Sequence, residues 1–309
     1  MKKVSIVNIA FAATLSLSPL NLPLVFAQEE IPRIETKVSE QTVYEKIDQL
    51  TNTKGEHIGK EGAYRVGFAR SDIKANIAGV KLVPPMGLSV WAGFKITGDN
   101  AVVMGDMVLL EDQVNPVMNT VLDNGLEITA LHNHFFWDSP KIMSMHIKGS
   151  GNTEKLAQAV GRVFAKIRET SGGKGEKPYV DIDPANTTLD PKKIEDIVGA
   201  KGQMADGVYK ITIGRTTNMD GEEIGNAMGV NTWAAFAGSD DKAVVDGDFV
   251  MLEPEVQPVL TALRGAGINI VALHNHMLME SPRMVFLRFW GVGSTADLAK
   301  GLKAALDMQ

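Results

Sequence analysis

The sequence predicts an α+β fold of two homologous repeats, each a mixed or antiparallel sheet with two helices, related by a pseudo-twofold axis. The main observation is an internal duplication. Residues 101–150 align without a gap with residues 243–292, and 21 of these 50 positions are identical. Both copies carry Ala-Leu-His-Asn-His at the same place. A period this long excludes a solenoid, whose units span roughly 20–50 residues, so two copies of one globular unit explain the pattern.

Strand-like and helix-like periodicity alternate within each repeat. Strands are predicted over residues 62–70, 91–97, 101–110, 126–136 and 142–148, and helices over 113–124, 153–167 and 294–306. The order strand, helix, strand from residue 101 to 136 predicts a parallel pair joined by a right-handed crossover. The strand that follows is expected to return antiparallel.

The first 27 residues have the pattern of a signal peptide. Lys2 and Lys3 precede an apolar run that ends Val25-Phe26-Ala27, which predicts cleavage after Ala27. We then expect an N-terminal extension over 28–42, the first repeat over 43–170, a linker over 171–190 and the second repeat over 191–309. No later segment is apolar for long enough to span a bilayer. The mature chain is therefore expected in the periplasm or outside the cell, without a stable membrane anchor.

Composition excludes several classes of function. The chain has a formal net charge of -6 and no cysteine. An acidic chain disfavours nucleic acid and anionic membranes as main partners. Without cysteine there is no disulfide, thiolate metal site or cysteine nucleophile. The expected partner is a small molecule or a metal ion, and the oligomeric state is left open.

The histidines form the most informative pattern. His132 and His134 alternate along a predicted strand, so their rings point to the same face. If the following hairpin places His146 opposite His132, three imidazoles gather there, and Asp138 at the turn adds an oxygen. Such a set suits a divalent transition metal, with zinc favoured.

The second repeat keeps His274, His276 and Glu280, but Arg288 replaces His146. One site would then bind a metal ion and the other an anion, or the second site is degenerate. Arg70 and Arg215, at the ends of matched strands, are further candidates for binding a carboxylate or phosphate. A surface ion pair is the commoner use of such arginines.

Two other interpretations stay open. Methionines near the histidines (Met143, Met145, Met277, Met279 and Met284) would favour copper, although methionine more often fills a core. Histidines at strand ends also often hydrogen bond to neighbouring backbone, which would make them structural. For Asp106 and Asp248, each after a glycine in an apolar strand, a buried and hydrogen-bonded structural role is favoured.

The two Ala-Leu-His-Asn-His segments, with Gly-Asp upstream and Ser-Pro downstream, resemble those of the LppY/LpqO family of bacterial exported proteins. The resemblance covers about residues 43–306. It implies an exported cell-envelope protein and no defined activity. The chain departs from the lipoprotein members because it has no cysteine for lipid attachment.

The leading hypothesis is therefore an exported protein that binds a divalent metal or a small polar ligand through paired His-x-His strands. One alternative is a metal-dependent hydrolase acting on a cell-envelope substrate, with His132, His134 and His146 as ligands. The other is a purely structural envelope protein.

Overall fold

The computed structural model describes residues 39–173 and 177–309 of the chain. The predicted signal peptide, most of the N-terminal extension and linker residues 174–176 lie outside this part. Residues Ser39–Gln309 form one compact unit. None of the described helices combines the length and the apolar character needed to cross a membrane.

The first repeat contains three helices and nine strands in its described residues. The helices are α1 (Glu40–Thr51), α2 (Glu111–Asp123) and α3 (Thr153–Glu169). The strands are β1 (Glu56–Ile58), β2 (Ala63–Ala69), β3 (Asn76–Ile77), β4 (Val80–Lys81), β5 (Ser89–Thr97), β6 (Asn100–Leu110), β7 (Glu127–Asn133), β8 (Asp138–Ser139) and β9 (Ile142–Asn152).

The second repeat contains three helices and eight strands in its described residues. The helices are α4 (Pro191–Val198), α5 (Val256–Gly265) and α6 (Thr295–Leu306). The strands are β10 (Gly202–Ala205), β11 (Val208–Gly214), β12 (Thr217–Met219), β13 (Glu222–Ile224), β14 (Asn231–Gly238), β15 (Ala243–Leu252), β16 (Asn269–His274) and β17 (Met284–Gly293).

Both repeats contribute to one twelve-stranded sheet, in the order β1-β2-β5-β6-β9-β7-β16-β17-β15-β14-β11-β10. The predicted α+β class is confirmed. Each repeat also begins with a helix, α1 or α4, that hydrophobic periodicity did not predict. Side-chain caps start both helices, from Ser39 in α1 and from Asp190 ahead of Pro191 in α4.

The expected neighbouring parallel pair is wrong. Every pair in the large sheet is antiparallel. Strands β6 and β7 do run in the same direction, but β9 lies between them and pairs with both. The crossover through α2 therefore leaves room for one strand between β6 and β7, and β9 occupies it.

Helices pack on one face of the sheet, and the other face stays largely open. The main core joins helix residues such as Val160 to the strand residues Met107 and Met145. Because successive residues of a strand point to opposite faces, Asp106 and His146 lie on the open face. Small loop clusters cover part of that face in each repeat.

The pseudo-twofold axis passes through the centre of the sheet. Strands β7 and β16 pair antiparallel, with Leu131 opposite Leu273. Leu273 is the residue that matches Leu131 in the duplication. A residue lies opposite its own equivalent only when the axis relating the copies runs between them, perpendicular to the sheet. Equivalent features of the two repeats therefore lie on the same face.

Two side-chain amides join the repeats symmetrically. Asn115 donates to the Ile270 carbonyl (3.4 Å) and accepts from the Ile270 N–H (2.9 Å). Its equivalent, Gln257, donates to the Ile128 carbonyl (2.7 Å) and accepts from the Ile128 N–H (3.0 Å). Each amide thus satisfies a backbone donor and acceptor at the centre of the sheet, where β7 and β16 share a single bridge.

Replacing Gln257 by leucine should destabilise the protein by ~1–3 kcal/mol, since the Ile128 backbone groups lose their partners while packing volume is kept. Urea unfolding gives the measurement. Gln158→Leu in α3 is the control, because that amide donates to the exposed Glu154 carboxylate one turn earlier in the same helix. Equal unfolding midpoints for the two variants would contradict a bridging role for Gln257.

Candidate functional site

In each repeat the candidate site lies on the open face, where three adjacent strands meet. In the second repeat, Asp248 of β15 lies opposite Arg288 of β17, which in turn lies opposite Ala272 of β16. His274 ends β16, and His276 follows it. The glycine before the aspartate is required by packing, because a Cβ at Gly247 would lie 2.4 Å from the carbonyl oxygen of the neighbouring strand.

Asp248, His274 and His276 form a compact group of donor atoms. One ligand atom from each lies within 4.8 Å of the other two. His276 Nε2 is 3.6 Å from the Asp248 carboxylate. Two imidazole nitrogens and one carboxylate oxygen are ligands that zinc and several other divalent transition metals accept. This group could hold a metal ion.

Two buried atoms of this group lack a hydrogen-bond partner within the described chain: Asp248 Oδ1 and His274 Nδ1. The Asp248 side chain is only 2% exposed. Buried polar atoms are nearly always paired, so an unpaired carboxylate oxygen beside two imidazoles indicates a partner from outside the chain. An ion held by these atoms fits that requirement.

Electrostatics leave both imidazoles available as ligands. Burial lowers the pKa of His274, and His276 and Arg288 lower it further. Burial and Arg288 also lower the pKa of His276. A histidine with a lowered pKa is neutral near pH 7 and keeps the lone pair that binds a metal.

Arg288 is the unusual member of the second site. Its Nε lies 3.7 Å from Asp248, and its guanidinium lies 5.1 Å from the centre of the Trp233 ring. The side chain is 43% exposed, so it reaches solvent while it partly balances the carboxylate. Of the three arginines predicted to bind a ligand, Arg288 is the one placed beside the histidines.

Arg70 and Arg215 bond within the chain instead. Arg70 is fully buried and donates to Asp72, Gln113 and the Val108 carbonyl. Arg215 forms two hydrogen bonds to Glu255, at 2.5 and 3.1 Å. Arg70 thus connects the end of β2 to the start of α2, and Arg215 connects the end of β11 to the residue before α5. Burial keeps Arg70 out of reach of an external ligand.

In the first repeat the histidines pair differently. His132 Nε2 lies 3.3 Å from His146 Nε2, and the two rings are stacked with centroids 5.4 Å apart. Asp106 lies opposite His146 in the sheet and accepts a hydrogen bond from the Ser144 hydroxyl. His134 has a buried Nδ1 without a partner in the described chain, and burial lowers its pKa.

The predicted register of this hairpin is wrong by two residues. His132 pairs with Ser144, and His146 pairs with Ala130. His132 and His146 are therefore diagonal neighbours on one face, which still brings long side chains together. The connecting loop sets this register, because the Asp138 carboxylate accepts a hydrogen bond from the Ile142 N–H at 2.6 Å and so fixes where β9 begins.

Asp138 and Glu280, the carboxylates predicted to assist a metal, both support their turns. The Asp138 side chain is fully buried and also pairs with Lys141 at 3.2 Å. Glu280 accepts a hydrogen bond from the Met284 N–H at 3.0 Å. Among the methionines considered for copper, Met145 belongs to the core on the helix side, away from the open face.

Asp248, for which the sequence favours a structural role, lies in the donor group of the structure. Its position in an apolar strand after a glycine was visible, as was its match with Asp106 in the duplication. The missing information was strand order. Only the pairing of β15 with β17, and of β17 with β16, brings Asp248 to the histidines.

Comparison with known proteins identifies a family without an assigned activity. A family model described as a Domain of Unknown Function (DUF1259) matches residues 45–166 and 192–308. The two matched segments fall within the two repeats and cover most of the chain. No curated protein matches the chain.

Replacing Asp248 by asparagine should stabilise the metal-free protein at neutral pH. Burial raises the pKa of Asp248 from 3.8 to about 6, although Arg288 and a backbone N–H oppose the rise. The folded state therefore keeps a proton that the unfolded state loses between about pH 4 and 6, so this group destabilises the fold increasingly as pH rises through that window. Two pKa units correspond to ~3 kcal/mol above pH 6.

Chemical denaturation of EDTA-treated wild type and Asp248→Asn from pH 4 to 8 measures this effect. The stability difference should be near zero at pH 4, grow up to about pH 6 and then stay constant. The comparison isolates Asp248, because both proteins share the histidines, whose lowered pKa values make stability fall as pH drops below their unfolded value. A difference that does not vary with pH would show that Asp248 is not buried as described.

Proposed function

We propose that this chain, which belongs to the DUF1259 family, is an exported protein that binds a divalent transition metal on the open face of its sheet. The carrying observation is the group of Asp248, His274 and His276, with donor atoms within 4.8 Å of one another and a buried, unpartnered carboxylate oxygen. Zinc is the preferred ion, since two imidazoles and a carboxylate form a known zinc ligand set.

Arg288 indicates which further ligand the second site binds beside the metal ion. A fixed cation near the metal weakens metal binding by repulsion, but its exposed side chain can reach an anion. A metal with three protein ligands keeps a further position for a small molecule. A carboxylate or phosphate in that position would satisfy both cations. The second site is thus proposed to take a metal ion together with a small anionic ligand.

The first repeat offers a second, different ligand set. Two nitrogens that bind one tetrahedral zinc at ~2.0–2.1 Å lie ~3.3–3.4 Å apart. The separation of His132 Nε2 from His146 Nε2 is 3.3 Å. His134 and Asp106 lie nearby, and each interacts electrostatically with the other. With no arginine in the position of Arg288, this site would hold a metal without an anionic companion.

Export of the protein and its membership of the LppY/LpqO family are part of the same proposal. The basic start and apolar run of residues 1–27 support secretion to the periplasm or beyond, and the resemblance to the LppY/LpqO family supports a role in the cell envelope.

Mutating the second-repeat histidines tests metal binding. The chain lacking residues 1–27 is stripped with EDTA, equilibrated with zinc and analysed by mass spectrometry for metal and by calorimetry for affinity. His274→Ala/His276→Ala should lose about one zinc per chain, because it removes two of three ligands. His132→Ala/His146→Ala measures any further ion in the first repeat.

His57→Ala is the matched control for these variants. His57 lies in β1, at the outer edge of the sheet, and stacks on Tyr44 with centroids 5.3 Å apart. It should bind zinc as wild type does. If wild type and His274→Ala/His276→Ala hold the same small amount of zinc and differ only in melting temperature, the histidines are structural and metal binding is excluded.

Hydrolysis is the second candidate function, favoured by the number of ligands. Catalytic zinc sites use three protein ligands and leave one position for water, as this group would. Zinc-loaded wild type should then hydrolyse a chromogenic ester faster than free zinc at the same concentration. His274→Ala/His276→Ala should abolish the difference. Rates equal to free zinc would leave binding as the function.

A further inference from the structure

The first repeat presents large apolar side chains to solvent beside its histidine site. Phe136 is 71% exposed and Trp137 is 80% exposed, and Val80 from a neighbouring hairpin is 59% exposed. We call these three residues the apolar tip. Exposure of single hydrophobic residues is ordinary, but a cluster that includes two neighbouring aromatics indicates an interaction surface.

The apolar tip is held in place by its own small core. Buried residues under the tip are Ile73, Ala75, Leu82, Leu88, Val108 and Ile142, and Phe135 packs against them. Strand β3, next to Val80 of the tip, pairs with β8, which follows Trp137. The Ala78 N–H also donates to the Trp137 carbonyl at 3.4 Å. The exposed rings of Phe136 and Trp137 therefore extend from a packed cluster, in which the neighbouring Phe135 is partly buried.

Three lysines belong to the same two loop segments as the apolar tip. Lys74 precedes β3 and Lys81 ends β4, so both are exposed at the open end of this hairpin, whose turn at Ala78 contacts Trp137. Lys141 follows the turn and is 38% exposed, while its partner Asp138 is fully buried. Aromatic side chains with lysines around them match the boundary of a lipid bilayer, where rings enter the headgroup region and ammonium groups meet phosphates.

The second repeat keeps the shape of this region but changes its chemistry. Leu278 and Met279 match Phe136 and Trp137, and Met279 is 92% exposed. Trp137 and Met279 share a left-handed backbone, with φ of 60° and 69°. The pair Glu222 and Glu223, however, stands where the first repeat has Val80 and Lys81. The aromatic rings and the positive charge therefore occur together in the first repeat only.

We propose that the apolar tip docks the protein on a bilayer that contains anionic lipid, with Phe136 and Trp137 inserted among the headgroups. Residues 1–27 contain Lys2 and Lys3 but no acidic residue, so the chain without them has a formal charge of -8. This charge opposes docking only weakly, because charges more than ~8 Å away are largely screened at physiological salt. This proposal uses residues outside the metal ligand set and does not depend on metal binding. Docking would turn the open face, with both histidine sites, toward the lipid.

Vesicle sedimentation tests the proposal on the chain lacking residues 1–27, in EDTA. Wild type should bind phosphatidylcholine vesicles that contain phosphatidylglycerol more tightly than vesicles of phosphatidylcholine alone. Its tryptophan emission, to which Trp137 contributes one of four indoles, should shift to shorter wavelength, and Phe136→Ser/Trp137→Ser should lose this shift. Phe136→Ser/Trp137→Ser should weaken binding at least ~10-fold, since two large apolar side chains no longer leave water. Lys74→Glu/Lys81→Glu should remove the preference for anionic vesicles.

Leu278→Ser/Met279→Ser is the matched control, and it should bind within ~2-fold of wild type because acidic residues flank that loop. Circular dichroism should show all variants folded, since the changed side chains are exposed. Absence of wild-type binding to the vesicles that contain phosphatidylglycerol overturns the proposal. So does equal loss in the two serine variants, or self-association of wild type that Phe136→Ser/Trp137→Ser abolishes, which would make the tip an interface between copies.

Discussion

The antiparallel pairing of β7 with β16 on the pseudo-twofold axis is the constraint on which the rest of the structure depends. Leu131 opposite Leu273 fixes the register of the two repeats. One residue beyond this pair, the same register places His132 opposite Ala272 and His274 opposite Ala130. His132 and His274 are therefore diagonal neighbours on the open face, ~7–8 Å apart. Each ring nevertheless contacts its own repeat, His132 with His146 and His274 with His276. The sites are therefore adjacent, yet separate, and a ligand at one would face the other.

Local sequence patterns predicted which residues share a face of a strand. They did not predict how strands distant in sequence pair. Alternation correctly placed the His-x-His rings on one face, because the two-residue period of a strand is a property of the backbone. The register of His132 with Ser144 depends on how the loop through Asp138 closes, and strand order depends on the whole fold. For the same reason Asp248 could be recognised as an unusual carboxylate but could not be assigned to the histidines.

Divergence after duplication acted on the residues around the shared aspartate. Ser144 donates a hydrogen bond to Asp106, whereas the matching residue Phe286 has no hydroxyl and stacks on His276 with centroids 3.5 Å apart. Asp248 keeps an unpartnered oxygen, and burial raises its pKa. Replacement of His146 by Arg288 then supplies a nearby cation. One substitution leaves the carboxylate available and the other moderates its charge, so the second site differs from the first in chemistry while it keeps the same backbone.

The unpartnered atoms argue that these sites are kept for binding. Four buried side-chain atoms lack a hydrogen-bond partner within the described residues, and three of them belong to His134, Asp248 and His274. Each such atom costs ~1–3 kcal/mol, a large fraction of the stability of an ordinary domain. Random loss of partners would scatter these atoms over the fold, whereas one lies at the first histidine site and two lie at the second. A chain that retains this cost at both histidine sites is explained most simply by a ligand that removes it, and the depth of Asp248 limits that ligand to an ion or a very small molecule.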